Sequence, residues 1–311
     1  MNFPEINMSV VIPVYYDQDV LPKLYDRLIP VMEKISTQFE IILIDDGSKD
    51  NSFNVIKQLK KKDDRIVAVR LTRNFGQANA ITAGLDLAQY EYITIMDSDL
   101  QDPPEFIEDL LKACMESDTD MAIARRKTRK DTWIKRTVSK FFNKLTYYAT
   151  TIKIEQGLGV FRVLKREAYL KIKNVPEITG TTLSLLYWGG FDYVAIDMDR
   201  DKRQAGSSGY TLRKMFKLAL DRIFSYSLWP LRIATLIGFV MAGFSFIWAL
   251  LILIKRIFFT ISVAGWTTNI VLILLLFGIN YIIMGIIGEY VGRIYMETKQ
   301  RPKYIIGKIY R

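Results

Sequence analysis

Between residues 8 and 124, short apolar runs rich in β-branched residues alternate with amphipathic stretches. Residues 8–14 (MSVVIPV), 39–44 (FEIILI), 66–71 (IVAVRL), 92–96 (YITIM) and 121–124 (MAIA) read as five buried strands. Between them, residues 21–35, 51–61, 77–88 and 105–115 read as helices, the last opened by Pro103 and Pro104, a usual place for proline. Strands alternating with helices predict an α/β fold with a doubly wound, mostly parallel sheet covered on both faces. The conspicuous polar clusters follow strand ends, where open α/β sheets bind ligands.

Further along, the pattern changes twice. In residues 132–148, Ile134, Val138, Phe141, Leu145 and Tyr148 recur at helical spacing among Lys135, Arg136, Lys140 and Lys144. In residues 211–227, Leu212, Met215, Phe216, Ala219, Ile223 and Phe224 alternate with Arg213, Lys214, Lys217 and Arg222. Basic amphipathic helices of this kind suit a bilayer interface. Residues 231–254 then hold a single charge, Arg232, and residues 270–291 a single charge, Glu289, four positions before Arg293. About 20 apolar residues cross a bilayer core, so two transmembrane helices are expected. The tail beyond them has six basic residues (Arg293, Lys299, Arg301, Lys303, Lys308, Arg311) against Glu297. The positive-inside bias places it, and with it the N-terminal part, in the cytoplasm. The expected organisation is a cytoplasmic unit over 1–210, a juxtamembrane amphipathic helix over 211–230, two spans within 231–292 and a basic cytoplasmic tail over 293–311. This is the layout of a multi-pass protein of the cell's inner membrane.

Composition narrows the chemistry. Half of the chain is hydrophobic, and the net charge is +10. That charge fits nucleic acid, an anionic membrane or a phosphorylated substrate, and the two spans decide against nucleic acid. There is no histidine and one cysteine, Cys114. Ser-His-Asp and Cys-His catalysis, His-ligated zinc and an intrachain disulfide are therefore excluded. Residues 1–7 are neither basic nor followed by a small-residue cleavage site, so no secretory leader is expected there.

Acid, base and metal chemistry must then come from carboxylates, lysine, tyrosine or backbone. Asp97-Ser98-Asp99 follows a buried strand and is followed by Leu100-Gln101-Asp102-Pro103-Pro104. Two carboxylates one residue apart at a strand end can meet one Mg2+ or Mn2+, a hard cation that usually shares its ligands with substrate phosphates. A second strand ends in Asp45-Asp46-Gly47-Ser48, where Asp45 reads equally as a turn residue. Two acidic strand ends in one doubly wound sheet point to a shared crevice.

These segments, with Val11-Ile12-Pro13-Val14-Tyr15, Arg73-Asn74-Phe75-Gly76-Gln77, Gly159-Val160-Phe161-Arg162, Arg203-x-x-Gly206 with Ser208 and Tyr210, and Pro230-Leu231-Arg232, resemble the family 2 glycosyltransferases of the GT-A fold. More narrowly, they resemble the polyprenyl-phosphate glycosyltransferases over roughly residues 8–232, and the two following spans fit the bactoprenol glucosyltransferase layout. The resemblance implies that Pro13, Tyr15 and Asp17 line a nucleotide pocket, with Asp17 standing where the family often has Glu. It implies that Asp46 holds the base or ribose, that Asp97 faces ribose and metal, and that Asp99 and Gln101 complete a metal and diphosphate site. On the acceptor side it implies that Arg126, Lys135, Arg136, Ser139 and Arg203 collect a lipid phosphate. Asp99, Arg126 and Arg203 are the expected catalytic residues.

Two departures from the family pattern matter. Relatives often carry Asp in a Gly-Asp-Phe-Arg motif, read as a catalytic base; here that place is Val160, which cannot take a proton. Either another carboxylate serves as base or none is needed; the second reading is preferred, because a lipid phosphate is already ionised and needs positioning cations instead. Where relatives often have Ser-Lys-Tyr, this chain has Ser208-Gly209-Tyr210, leaving Lys202 or Lys214 to supply the missing cation. The expected reaction is metal-dependent, inverting transfer of a hexose, UDP-glucose first among donors, to undecaprenyl or another polyprenyl phosphate for cell-envelope glycan modification. The expected assembly is a homo-oligomer on the bilayer. The alternatives are a processive polysaccharide synthase and an inactive membrane scaffold; the usual Gln-x-x-Arg-Trp of the former is missing.

Overall fold

The computed structural model describes residues 6–126, 157–175, 181–199, 227–258 and 265–311. The stretch 132–148 and all but the last residue of 211–227 lie outside these, as do Lys135, Arg136, Ser139 and Arg203. The chain divides into two units. One comprises residues 1–143, 152–209 and 301–311, the other residues 144–151 and 210–300.

In the first unit, β1 (Asn7–Val14), β2 (Gln38–Asp45), β3 (Ile66–Leu71), β4 (Tyr92–Ile95) and β5 (Met121–Arg126) occupy the five expected strand positions. The expected helices are α1 (Leu21–Ile35), α2 (Ser52–Lys62), α3 (Gln77–Leu87) and α4 (Phe106–Glu116). Three strands were not expected: β6 (Leu158–Lys165), β7 (Tyr193–Met198) and β8 (Ile306–Tyr310). Two short helices, α5 (Arg166–Ile172) and α6 (Thr182–Trp188), separate β6 from β7. The eight strands form one sheet in the order β7-β5-β6-β4-β1-β2-β3-β8. β4, β1, β2 and β3 are mutually parallel, as are β5 and β7, while β6 and β8 run antiparallel to their neighbours.

Successive side chains of β1 point to opposite faces, and both faces are covered. Ile12 and Val14 join Leu24, Leu28 and Met32 of α1, Ile56 of α2 and Leu110 of α4 in one core layer. Val11 joins Ile44, Ile81 and Leu85 of α3, Tyr169 of α5 and Leu186 of α6 in the other. Burial on both sides explains why β1 reads as an unbroken apolar run. The buried residues of α1, Leu21, Leu24, Leu28, Met32 and Ile35, recur every three or four positions, which is what turns one helix stripe to the sheet. Each such leucine contributes about 2 kcal/mol of burial.

The last eleven residues of the sequence group with the sheet. The segment expected as a basic tail from 293 continues as helix to Thr298, and β8 then pairs with the outer edge of β3. Thr72 N donates to Ile305 O at 3.0 Å, Tyr304 Oη donates to Asp86 at 2.6 Å, and Arg311 reaches Glu40 at 3.3 Å. A bare β3 edge would present a row of unpaired backbone groups, and β8 satisfies them.

The second unit contains α7 (Trp229–Phe258) and α8 (Trp266–Thr298), which enclose both expected spans and extend past them. Their windows Trp229–Trp248 and Leu275–Thr298 have mean hydropathies of 1.8 and 1.5, and both helices are long and apolar enough to cross a membrane. Phe239, Phe246, Tyr281 and Ile282 lie exposed along them. Glu289 and Arg293 pair along α8 at 2.7 Å, and Tyr290 Oη donates to Ser227 O at 2.6 Å.

Gly84 lets α3 lie against the sheet. A Cβ there would overlap Val11 Cγ1 and stand 2.8 Å from Ile44 Cδ1. Alanine normally favours a helix over glycine by about 1 kcal/mol. Gly84→Ala is expected to have the opposite sign, destabilising the first unit by about 1–3 kcal/mol through overpacking. Denaturant unfolding followed by tryptophan fluorescence measures it; a stabilised variant would contradict the close approach.

Candidate active site

The loops after β1, β2 and β4 meet at one end of the sheet, joined by a circuit of hydrogen bonds. Asp46 is buried and accepts from two backbone N–H groups, Phe75 N at 2.7 Å and Gly76 N at 2.9 Å. Gly76, at φ 91°, opens α3, and the next residue, Gln77, donates its amide to Asp97 Oδ1 at 2.6 Å. Ser98 Oγ donates to Asp17 Oδ2 at 2.6 Å, and Tyr15 N donates to the same oxygen at 3.2 Å. Tyr16 N donates to Ser48 Oγ at 3.2 Å, which returns the circuit to the β2 loop. The main chain of Arg73 and Asn74 passes directly over Gly47, at φ 70°. A Cβ there would lie 2.5 Å from Arg73 C and 2.7 Å from Asn74 N, so the Asp-Gly-Ser turn requires glycine.

Burial and the circuit act in opposite directions on the carboxylates. Burial raises the pKa of Asp17, and hydrogen bonds from Ser98 and Tyr15 N oppose it. Burial raises Asp46 likewise, against its two N–H partners. Asp45 is also raised by burial, opposed by Ser48 and by Arg70 at 3.3 Å. Asp45 Oδ1 accepts from Ser48 N at 3.0 Å, the turn role that its sequence left open. A carboxyl whose folded pKa exceeds its unfolded value binds protons more tightly when native. These three therefore cost stability at neutral pH, and that cost falls as the pH drops through their folded pKa values.

Asp97, Asp99, Gln101, Asp17, Asp46 and Tyr15 thus lie on three neighbouring loops. Tyr15 is 47% exposed and meets Tyr16 edge-on at 4.5 Å between ring centres, while Pro13 is buried within β1 opposite Ile44. Asp99 Oδ1 accepts from Gln101 N at 3.1 Å, across a turn whose buried Leu100 has φ 57°. Among the described residues, no three His, Cys, Asp or Glu side chains converge as a metal cage. Two carboxylates after one strand are the donor type that a hard cation takes when its other ligands come from a substrate. Arg126, at the end of β5, places Nη2 4.0 Å from Asp97 Oδ2 and 4.0 Å from the fully buried Asp102.

Several participants had no role assigned from sequence. Gln77, Ser98 and Asp102 sit inside motifs already quoted, but only contacts across the sheet give them a task. Val160 is half-buried in the core layer of α3, α5 and α6.

The family model for glycosyl transferase family 2 matches residues 9–173, from β1 to α5. This chain is a family 2 glycosyltransferase. It is 38% identical over 307 residues to the bactoprenol glucosyl transferase of Shigella phage SfII, covering 98% of this chain and 99% of that protein. It is 33% identical over 311 residues to the undecaprenyl-phosphate 4-deoxy-4-formamido-L-arabinose transferase of Proteus mirabilis, covering 99% and 95%. Among solved structures it is similar to glucosyl-3-phosphoglycerate synthase from Mycobacterium tuberculosis in complex with Mn2+ and uridine-diphosphate-glucose. That match has a TM-score of 0.50 and 15% identity over 71% of this chain and 77% of the other, and supports the GT-A fold.

In this glycosyltransferase the Asp46 carboxylate braces the segment that carries Gln77 to Asp97. Asn in its place has one acceptor oxygen for two donors. Asp46→Asn is expected to weaken nucleotide binding about tenfold, the equivalent of about 1.4 kcal/mol and within the cost of one unsatisfied buried N–H. Isothermal titration with UDP and Mn2+ checks it; unchanged affinity would show that the circuit does not shape the donor site.

Proposed function

We propose that this glycosyltransferase moves a hexose from a nucleotide sugar, UDP-glucose first, to a polyprenyl phosphate such as undecaprenyl phosphate at the cytoplasmic face of the bacterial inner membrane. The observation that carries the proposal is the match of 98–99% of the chain, both apolar helices included, to proteins named for bactoprenol and undecaprenyl-phosphate transfer. The return of the chain from α8 to the sheet through β8 supports a two-span hairpin with both ends on one side. The basic excess after Gly292 supports the cytoplasmic side.

In this reading Asp97, Asp99 and Gln101 hold a Mg2+ or Mn2+ ion; the solved neighbour's Mn2+ and uridine-diphosphate-glucose support a divalent cation. When bound, the ion neutralises charge on the leaving diphosphate. Asp17, Asp46 and Tyr15 shape the nucleotide pocket. Arg126, with Lys135, Arg136, Ser139 and Arg203, collects the acceptor phosphate. One phosphate oxygen forms a bond to the anomeric carbon as the bond from that carbon to the nucleoside diphosphate breaks. No proton moves, and the anomeric centre inverts. The nucleophile is an anion before it binds, so orientation and charge neutralisation are the help it needs.

The test incubates the purified full chain with undecaprenyl phosphate, Mg2+ or Mn2+ and a panel of nucleotide sugars. A lipid-linked sugar is expected, lost on adding EDTA and in Asp99→Ala. Nucleotide binding with no product from any donor would favour an inactive scaffold, and full activity of Asp99→Ala would overturn the metal assignment.

The base-free mechanism has its own test. Val160→Asp is expected to leave kcat within about twofold of the parent and to add no acidic limb to its pH profile. A large rise in kcat with such a limb would show that a proton acceptor had been missing.

A further inference from the structure

Arg162 is a buried cation without a counter-ion among the described residues. It lies in β6 with 3% of its surface exposed. Its Nε donates to Val160 O at 3.1 Å and its Nη2 to Gly159 O at 2.7 Å. The guanidinium centre lies 5.5 Å from the centre of the Tyr187 ring, while Nη1 and the Tyr187 hydroxyl have no hydrogen-bond partner. Burial lowers the guanidinium pKa, and the nearby Tyr187 hydroxyl opposes that shift. A buried charge without an opposite charge is an expensive way to fill a core position, and apolar residues of similar size commonly replace such groups with no loss of stability. Fold stability therefore gives little reason for this arginine, whereas the two carbonyls that it grips give a specific one.

Those carbonyls belong to the segment on which Arg126 rests. The Arg126 backbone N–H donates to Gly157 O at 2.9 Å. Its guanidinium lies against the Cα of Gly159, where a Cβ would come within 3.0 Å of both Nε and Nη2. From that place Arg126 faces Asp97 and Asp102. One guanidinium thus holds the Gly159 carbonyl while a second uses the bare side of the same residue as its seat.

We propose that Arg162 is a positioning residue for Arg126: by clamping the carbonyls of Gly159 and Val160 it fixes the glycine platform that aims the Arg126 guanidinium at the acceptor phosphate. This rests on the reading above that Arg126 serves the acceptor. Arg162 does not touch substrate; its contribution is the direction in which Arg126 points.

The experiment compares Arg162→Met, Gly159→Ala, Arg126→Ala and the double variant Arg126→Ala/Arg162→Met in the full-length protein, with undecaprenyl phosphate and UDP-glucose. Arg162→Met and Gly159→Ala should each raise the KM for lipid phosphate about tenfold, the scale of a small misplacement of a binding group, with donor KM within about twofold. The melting temperature of Arg162→Met should stay within about 4 °C of the parent. In the Arg126→Ala background, Arg162→Met should add nothing further, since a positioning residue has nothing left to position. A wild-type acceptor KM for Arg162→Met, or a full additional rise in the double variant, overturns the proposal while leaving the Arg126 reading intact. A wild-type acceptor KM for Arg126→Ala overturns both. If Arg162→Met does not fold, Arg162→Lys is read instead. It keeps the charge but lacks the two-pronged grip, so a raised acceptor KM supports the clamp and an unchanged one refutes it.

Discussion

The site depends on carboxylates crowded at the ends of adjacent strands. Asp17, Asp46 and Asp97 follow β1, β2 and β4, which lie side by side in the sheet. Bringing such groups together costs desolvation and mutual repulsion, and the cost is met locally. Each carboxylate is an acceptor for a neighbouring segment: Asp46 and Asp97 both for residues 75–77 after β3, through Phe75 and Gly76 and through Gln77, and Asp17 for Ser98 after β4 and for Tyr15 of its own loop. The loops are ordered because the charges need donors, and the charges are tolerated because the loops supply them. Geometry that is set before a ligand arrives is the condition for electrostatic help without reorganisation.

The sheet beneath makes that crowding reproducible. Parallel pairing in register aligns Val14 with Asp45, so the β1 and β2 loops start at the same height. Gly47 and Gly84 act on the same geometry at two scales. The first lets the Arg73–Asn74 main chain cross the β2 turn, and the second lets α3 press against β1 and β2, bringing the N-terminus of α3, with Gln77, to Asp97.

Much of this was legible in the sequence, for a physical reason. β1 to β5 are buried on both faces or nearly so, and such strands must be continuous apolar runs whatever their neighbours. The strands that escaped notice are those whose composition is set by contacts distant in sequence. β6 begins with two residues either side of a glycine and carries Arg162, β7 is only partly buried, and β8 is a mostly exposed edge strand that follows a long helix. The motifs likewise located Asp46, Asp97 and Asp99 but not the contacts that each makes. Nothing local distinguishes a carboxylate that will touch substrate from one that braces a loop, and Asp46 has both oxygens engaged by backbone N–H groups 29 and 30 residues away.

Two residues of β6 share a face and bear on each other. Val160 and Arg162 are two positions apart in a strand, so both point to the layer of α3, α5 and α6, where Val160 packs and Arg162 lies over Tyr187. In the Gly-Asp-Phe-Arg form of the motif, a carboxylate would stand at position 160 on the same face as this guanidinium and would offer it a counter-charge. With valine there, this layer lacks that negative charge and keeps the positive one. Without that counter-charge, the guanidinium donates to the backbone carbonyls of Gly159 and Val160, which it holds at 2.7 and 3.1 Å. The apolar side chain at 160 and the carbonyl grip of Arg162 are therefore linked: a guanidinium on this face has no carboxylate two positions away to turn to, and it holds the main chain instead.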